Sequence, residues 1–319
     1  MLSALILLTA CSGDSPSRSF ETSYQAVYTG AFSPSGEYAI AGSFFHGGSL
    51  WRTNDAERLY NWNHKPQEQT PITATAFSPE GRYAVTADER TVVLWDVNTG
   101  RSLRYFNTPD DILSIKLSPR GEFALIGLSN QSAVFFDIQK GGILRVLFQG
   151  EDILTMDMSS DGRLALIGLG NNSKLWDLST GTLLREIESF GRTKTVALSD
   201  DHRFAFIATS GQRDKAFIWD IQTNALHAKL SFGNPLISNF TSVLAAQFSS
   251  DSRRLITGST VGSVILWDVD SGSEIQQWVT PKDNSLQPTS TAIVAVSRGP
   301  MENQYLAMSS NGKVYHLDY

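Results

Sequence analysis

A single cysteine, Cys11, stands among the 319 residues, so no disulfide can form within the chain. The apolar run at the start, residues 2–8, is far short of the about 20 residues a membrane-spanning helix needs. Blocks of Lys or Arg are missing: 26 Lys+Arg against 32 Asp+Glu leave a net charge of −6 with no basic stripe, which argues against nucleic acid as a ligand. Also absent are a Gly-Xaa-Ser-Xaa-Gly elbow, a Walker-type loop and a His-Glu-Xaa-Xaa-His helix, and no helical period of convincing length exists to carry them. The five histidines are scattered rather than set at ligand spacing. These absences point away from an enzyme, a metal site or a cofactor. A hydrophobic content of 41% is enough for a large core, and disorder is excluded as a global state.

At the N-terminus, Leu8-Thr9-Ala10-Cys11 resembles the lipobox of bacterial lipoproteins, in which cleavage before the cysteine leaves it as the lipid-modified first residue. An ordinary signal peptide cleaved after a small residue is the alternative, and no Lys or Arg precedes the apolar run as export signals usually require. The resemblance implies a signal peptide over residues 1–10 and a lipid-anchored tether over residues 11–17. Ser12-Gly13-Asp14-Ser15-Pro16-Ser17 is small and polar, the composition of a flexible linker. The implied location is the bacterial cell envelope, on the periplasmic side of the outer membrane.

From residue 18 onward the sequence repeats. Residues 77–100, FSPEGRYAVTADERTVVLWDVNTG, contain two strand-like runs bounded by turn residues, and relatives of this stretch recur along the chain. One marker is an aromatic or aliphatic residue at Trp51, Trp95, Phe136, Trp176, Trp219, Trp267 and Leu317, spaced by 44, 41, 40, 43, 48 and 50 residues. Asp follows it in every unit except the first, where Trp51 precedes Arg52. A second marker is a turn such as Ser78-Pro79-Glu80-Gly81, where glycine permits positive φ; His202 and Ser252 take its place in the fifth and sixth units. Asn98-Thr99-Gly100 and its relatives form the third marker.

Three markers at this period resemble the WD-repeat family, whose unit is a four-stranded propeller blade. The resemblance implies an all-β, seven-bladed β-propeller over residues 18–319, built of four-stranded antiparallel blades. The seventh unit stops after its third strand, so residues 18–23 are expected to supply the missing outer strand by pairing with residues 313–317. The Trp-Asp carboxylates are expected to bind turn backbone rather than do acid/base work. The family's Gly-His pair is not evident, and Glu89, Asn130 and Val261 stand where its turn Asp is expected, so packing rather than a hydrogen-bonded tetrad is expected to hold the blades. Ala31, Ala76, Ala197 and Ala295 suit close approach of inner strands, with Lys116 and Asp157 at that position in adjacent blades, where they should form an ion pair.

Functional residues are sought where the units differ, in loops on the outward face. Phe44 and Phe45 stand at a hairpin tip beside His46, and His46 with His64 forms the only plausible two-histidine arrangement. Asp110, Asp111, Glu151 and Asp152 lie in two successive blade-to-blade loops, whereas Arg192, Lys194, Arg213 and Lys215 gather around the fifth blade. Residues 231–242 form a longer apolar loop with Phe232 and Phe240. The reading is a monomeric, non-enzymatic, membrane-tethered scaffold for protein partners in the envelope. The alternative is a propeller enzyme, or a small-ligand or polysaccharide binder, with its site at the channel mouth.

Overall fold

The computed structural model describes residues 13–23, 26–65, 68–210, 216–232, 241–282 and 291–319. Cys11, Arg213, Lys215 and Phe240 lie outside the described residues. The strands form seven four-stranded antiparallel sheets, and in six of them the strands are consecutive in the chain. Blade 2 illustrates the unit, with Ala74–Phe77 innermost, then Tyr83–Ala87, Thr91–Asp96 and Ser102–Asn107 outermost. Each inner strand packs beside that of the next blade, and Ile293–Arg298 meets Val27–Phe32 to complete the ring.

Closure follows the sequence expectation. Arg18–Glu21 pairs antiparallel with Lys313–Asp318 in a register that sets Arg18 against His316 and Glu21 against Lys313. The strand thereby covers a row of backbone groups that would otherwise be a bare edge. Arg18 also reaches across the seam, donating from Nη2 to the Thr53 carbonyl of blade 1 at 3.0 Å. The segment just before it corrects the linker reading. Asp14 and Ser17 are docked on blades 6 and 7 through backbone bonds to Gln277, Val279 and His316. Small polar side chains left this stretch without a hydrophobic signal, and its backbone hydrogen bonds carry none in sequence.

The turns obey a common chemistry. Gly36, Gly81, Gly121 and Gly162 have positive φ, and His202 and Ser252 adopt the same conformation where glycine is replaced. A serine opens each of six such turns, and its Oγ accepts the N–H five residues on: Ser33 from Tyr38, Ser78 from Tyr83, Ser118 from Phe123, Ser159 from Leu164, Ser199 from Phe204 and Ser249 from Arg254. At the same end of the blade, where the third strand finishes, the Trp-Asp carboxylates bind turn backbone as expected. Asp96, Asp137, Asp177, Asp220 and Asp268 accept the N–H groups of Thr99, Lys140, Thr180, Thr223 and Ser271.

Between blades the middle strands are buried on both faces, which is why runs such as Phe123–Leu128 are almost continuously apolar. Lys116 and Asp157 form the expected bridge between blades 3 and 4 at 2.9 Å, and Asp157 also accepts the Leu198 N–H of blade 5 at 2.8 Å. Their equivalent in blade 7 is Ser297, paired with Leu306, rather than Ala295, which pairs with Met308 two positions earlier on the inner strand.

The expectation that packing alone holds the blades fails in blade 2. His64 precedes its inner strand, and its side chain is only 2% exposed. Trp95 Nε1 donates to Thr86 Oγ1 at 2.9 Å, Thr86 is 2.9 Å from His64 Nε2, and His64 Nδ1 is 3.2 Å from Asp88. The donors fix the direction: the Thr86 hydroxyl gives its hydrogen to Nε2, and Nδ1–H gives to the carboxylate. Asp88 in turn accepts the Arg90 and Thr91 N–H groups, pinning the hairpin turn. Burial works to raise the Asp88 carboxyl, but the bonds from His64 and the two amides outweigh it and hold it below the ordinary value. Asp88, one residue before Glu89, is thus the turn aspartate.

Candidate interaction face

The blade-to-blade loops and the second-to-third-strand turns share one face of the ring, and the inner strands begin there. Five of those strands start with a register shift, after Val27, Ile112, Thr193, Val243 and Ile293. A bulge frees one side chain from the alternation of the sheet. The freed residues are Tyr28, Leu113, Lys194, Leu244 and Val294, at the mouth of the channel. Tyr28 is 58% exposed and Leu113 52%, and Leu244 is also exposed.

The predicted aromatic tip joins this ring. Phe44 packs edge-on against Tyr28, with centroids 4.8 Å apart, while Phe45 is 62% exposed. Phe190, in the loop entering blade 5, is 75% exposed on the same face. His46 is half-buried in the turn beside Phe45. It makes no metal pair with His64, which is committed to Thr86 and Asp88. No group of three or more His, Cys, Asp or Glu side chains that could hold a metal ion occurs among the described residues.

The charged residues are more balanced than the sequence suggests. Arg90 donates to Asp111 at 2.6 Å and lies 3.5 Å from Asp110, so a cation from the neighbouring turn sits within the acidic pair. The Asp111 N–H and the Ser129 hydroxyl hold the Asp110 carboxyl below its ordinary value. Asp152 accepts from Gln131 at 3.1 Å and lies 4.0 Å from Arg192, so the acidic and basic sectors meet there. Glu151 is exposed beside it. Phe232 is half-buried and packs edge-on against Trp267, 5.0 Å between centroids, placing it against the core of blade 6.

Sequence reasoning passed over Tyr28, Leu113, Leu244, Phe190 and Arg90. A signal for three of them was present: Val27-Tyr28, Ile112-Leu113 and Val243-Leu244 each put two apolar residues in succession, which breaks strand alternation and marks a bulge.

The fold and this face define a class: a seven-bladed β-propeller with a loop face rimmed by exposed aromatic and aliphatic side chains. Residues 59–96 match the family model "WD domain, G-beta repeat", a span that holds His64, Thr86, Asp88 and Trp95. Among curated proteins the chain is similar to the WD repeat-containing protein 91 homolog of Dictyostelium discoideum, 25% identical over 148 residues, 44% of this chain. That match spans only 18% of the relative's length. Among solved structures it is similar to the Cps50 (Swd1) β-propeller domain of Myceliophteria thermophila, with a TM-score of 0.75 at 15% identity over 95% of this chain and 99% of the other. This second likeness concerns the fold.

Proposed function

We propose that the protein is a non-enzymatic interaction scaffold that binds a protein partner with the loop face around its channel mouth. The observation that carries this reading is the exposed apolar rim of Tyr28, Phe44, Phe45, Leu113 and Phe190 on a rigid ring. Exposed aromatic clusters with a polar surround are the composition of protein-binding surfaces, and WD40 propellers generally serve such a role. Arg90, Asp152, Arg192 and Lys194 surround the rim and would orient the partner rather than supply most of its affinity.

The lipobox resemblance of residues 8–11 adds a location: Cys11 carries a lipid and holds the propeller at a bacterial envelope membrane. With Asp14 docked on blade 6, three residue steps lead from it to Cys11, a reach of about 10 Å at about 3.3–3.6 Å per residue. Metabolic labelling with a fatty-acid analogue tests this, with loss of label in Cys11→Ser as the expected result and an unlabelled wild type as the refuting one.

The scaffold reading is tested by crosslinked affinity capture with Leu113→Lys and Phe44→Ala/Phe45→Ala. Both changes lie at exposed positions, so the melting temperature should hold while specific partners are lost. An unchanged set of captured proteins would remove this face from the proposal.

A further inference from the structure

The outer edge of blade 6 already carries an added stretch of chain. Asp14 forms a one-residue parallel bridge opposite Trp278. Its N–H donates to the Gln277 carbonyl at 2.8 Å, its carbonyl accepts the Val279 N–H at 2.9 Å, and its carboxylate accepts from Gln276 Nε2 at 2.6 Å. The segment uses the outward-pointing groups on either side of a buried tryptophan.

Blade 1 repeats that frame. Trp62 is fully buried and donates from Nε1 to the Gly100 carbonyl of the next blade, as Trp278 does to Asp318. Its own N–H turns inward to Gly48, so the Asn61 carbonyl and the Asn63 N–H stand where those of Gln277 and Val279 stand in blade 6. Neither is taken up by a hydrogen bond among the described residues. Beside this edge lies a groove of about 470 Å³ lined by Asn61, Asn63, Trp95, Leu103, Arg104 and Tyr105. Leu103 and Tyr105 are exposed on the outer strand of blade 2, and Arg104 donates only to the Leu103 carbonyl, making no ion pair among the described residues.

We propose that this edge and groove bind an extended segment of a partner protein as a short added strand, the segment carrying an apolar side chain next to an acidic one. Its main chain pairs with the Asn61 carbonyl and the Asn63 N–H, as Asp14 pairs on blade 6. Its apolar side chain lies against Leu103 and Tyr105 above Trp95, and its carboxylate meets the Arg104 guanidinium, a charge-assisted contact. The main chain supplies attachment and the side chains supply selection. This surface lies on the flank of the ring, between blades 1 and 2, and is independent of the loop-face proposal.

A phage-displayed library of random nonapeptides, selected on the full chain, supplies the probe; enriched peptides are synthesised and titrated by fluorescence polarisation. The expected consensus pairs an apolar residue with Asp or Glu. Affinity should drop about tenfold or more in Leu103→Ser/Tyr105→Ala and in Arg104→Glu, since truncating aromatic and arginine anchors commonly costs that much. Bound peptide should also slow hydrogen exchange at the Asn63 amide. Phe44→Ala/Phe45→Ala should bind the peptides as wild type does, which separates this surface from the loop face, and thermal melts confirm that each variant is folded. Enriched peptides that bind the groove variants as tightly as wild type, or a library that yields no groove-dependent binder, would overturn the proposal.

Discussion

Replacing Thr86 by valine should expose how much the polar relay of blade 2 contributes. The change conserves shape but removes the single hydroxyl that accepts from Trp95 and meets His64, each at 2.9 Å. Thr86 is fully buried, so the Trp95 N–H is left unsatisfied, and His64, 2% exposed, loses one of its two partners. A buried polar group deprived of its partner costs about 1–3 kcal/mol, so the two together cost about 2–6 kcal/mol. Unfolding entropy of about 2.1 cal/mol/K per residue over about 300 residues makes about 3 kcal/mol equal to a fall of about 5 °C in melting temperature. Thr257→Val in blade 6 is the internal control. There Trp267 donates to Thr257 at 2.9 Å with no histidine attached, and about half the loss is expected. Urea unfolding of the two variants gives the ratio. A loss below about 0.5 kcal/mol for Thr86→Val, or equal losses at both sites, would refute the relay as an energetic unit.

Removing residues 1–22 should lower the melting temperature and produce oligomers in light scattering, because Lys313–Asp318 becomes an unpaired edge; a stable monomer would contradict the closure argument. Asp157→Ala should cost about 1–3 kcal/mol by urea unfolding, since the Leu198 N–H loses its acceptor, whereas Lys116→Met should cost under about 1 kcal/mol because that ammonium is 40% exposed. Melting temperature should fall with acid in two stages. His316 is held below its ordinary 6.5 by burial and then by Arg18, so the unfolded chain takes up a proton that the fold refuses, and stability drops as pH falls below 6.5. The carboxyls of Asp177, Asp220 and Asp268, lowered by the Ser179 hydroxyl, the Thr223 N–H and the Ser271 hydroxyl respectively, add stability above 3.8 that is lost as pH falls below it. His316→Gln should flatten the first stage alone, and an unchanged profile would remove His316 from the account.

The architecture was legible because blade, turn and closure each leave a local trace. Trp95-Asp96 and Ser78-Pro79-Glu80-Gly81 mark fixed points of one unit, and the missing fourth strand after Leu317 points to residues 18–23. The relay was not legible, because His64 lies 22 residues from Thr86 across a long loop and nothing in a Thr or a His announces that they meet. Docking of Asp14 was hidden for the same reason, since it uses backbone groups that every residue possesses. At the loop face, Phe44 and Phe45 were visible as aromatics in a turn, but the charges misled. Asp110 and Asp111 look like an unpaired acidic pair until Arg90 arrives from a turn 20 residues away.

The blades differ in how they satisfy the same tryptophan, and that difference separates architecture from recognition. Thr86 in blade 2 and Thr257 in blade 6 accept the indole N–H of Trp95 and Trp267. Strand register sets Ile167 and Ile207 at the same position in blades 4 and 5, where the N–H groups of Trp176 and Trp219 are buried with no hydrogen-bond partner among the described residues. Those blades forgo a hydrogen bond and gain aliphatic contact, so the repeat survives as shape after its polar signature has gone. The family match over residues 59–96 falls where the signature is intact. Core positions are bound by neighbours on both sides, but a bulge residue at the channel mouth touches the repeat at one point only. There the chain places Tyr28, Leu113, Lys194, Leu244 and Val294, four residue types in five equivalent slots, three of them large exposed hydrophobics. Folding does not call for exposed apolar groups at those slots, and each carries a solvation cost that contact with a partner would relieve.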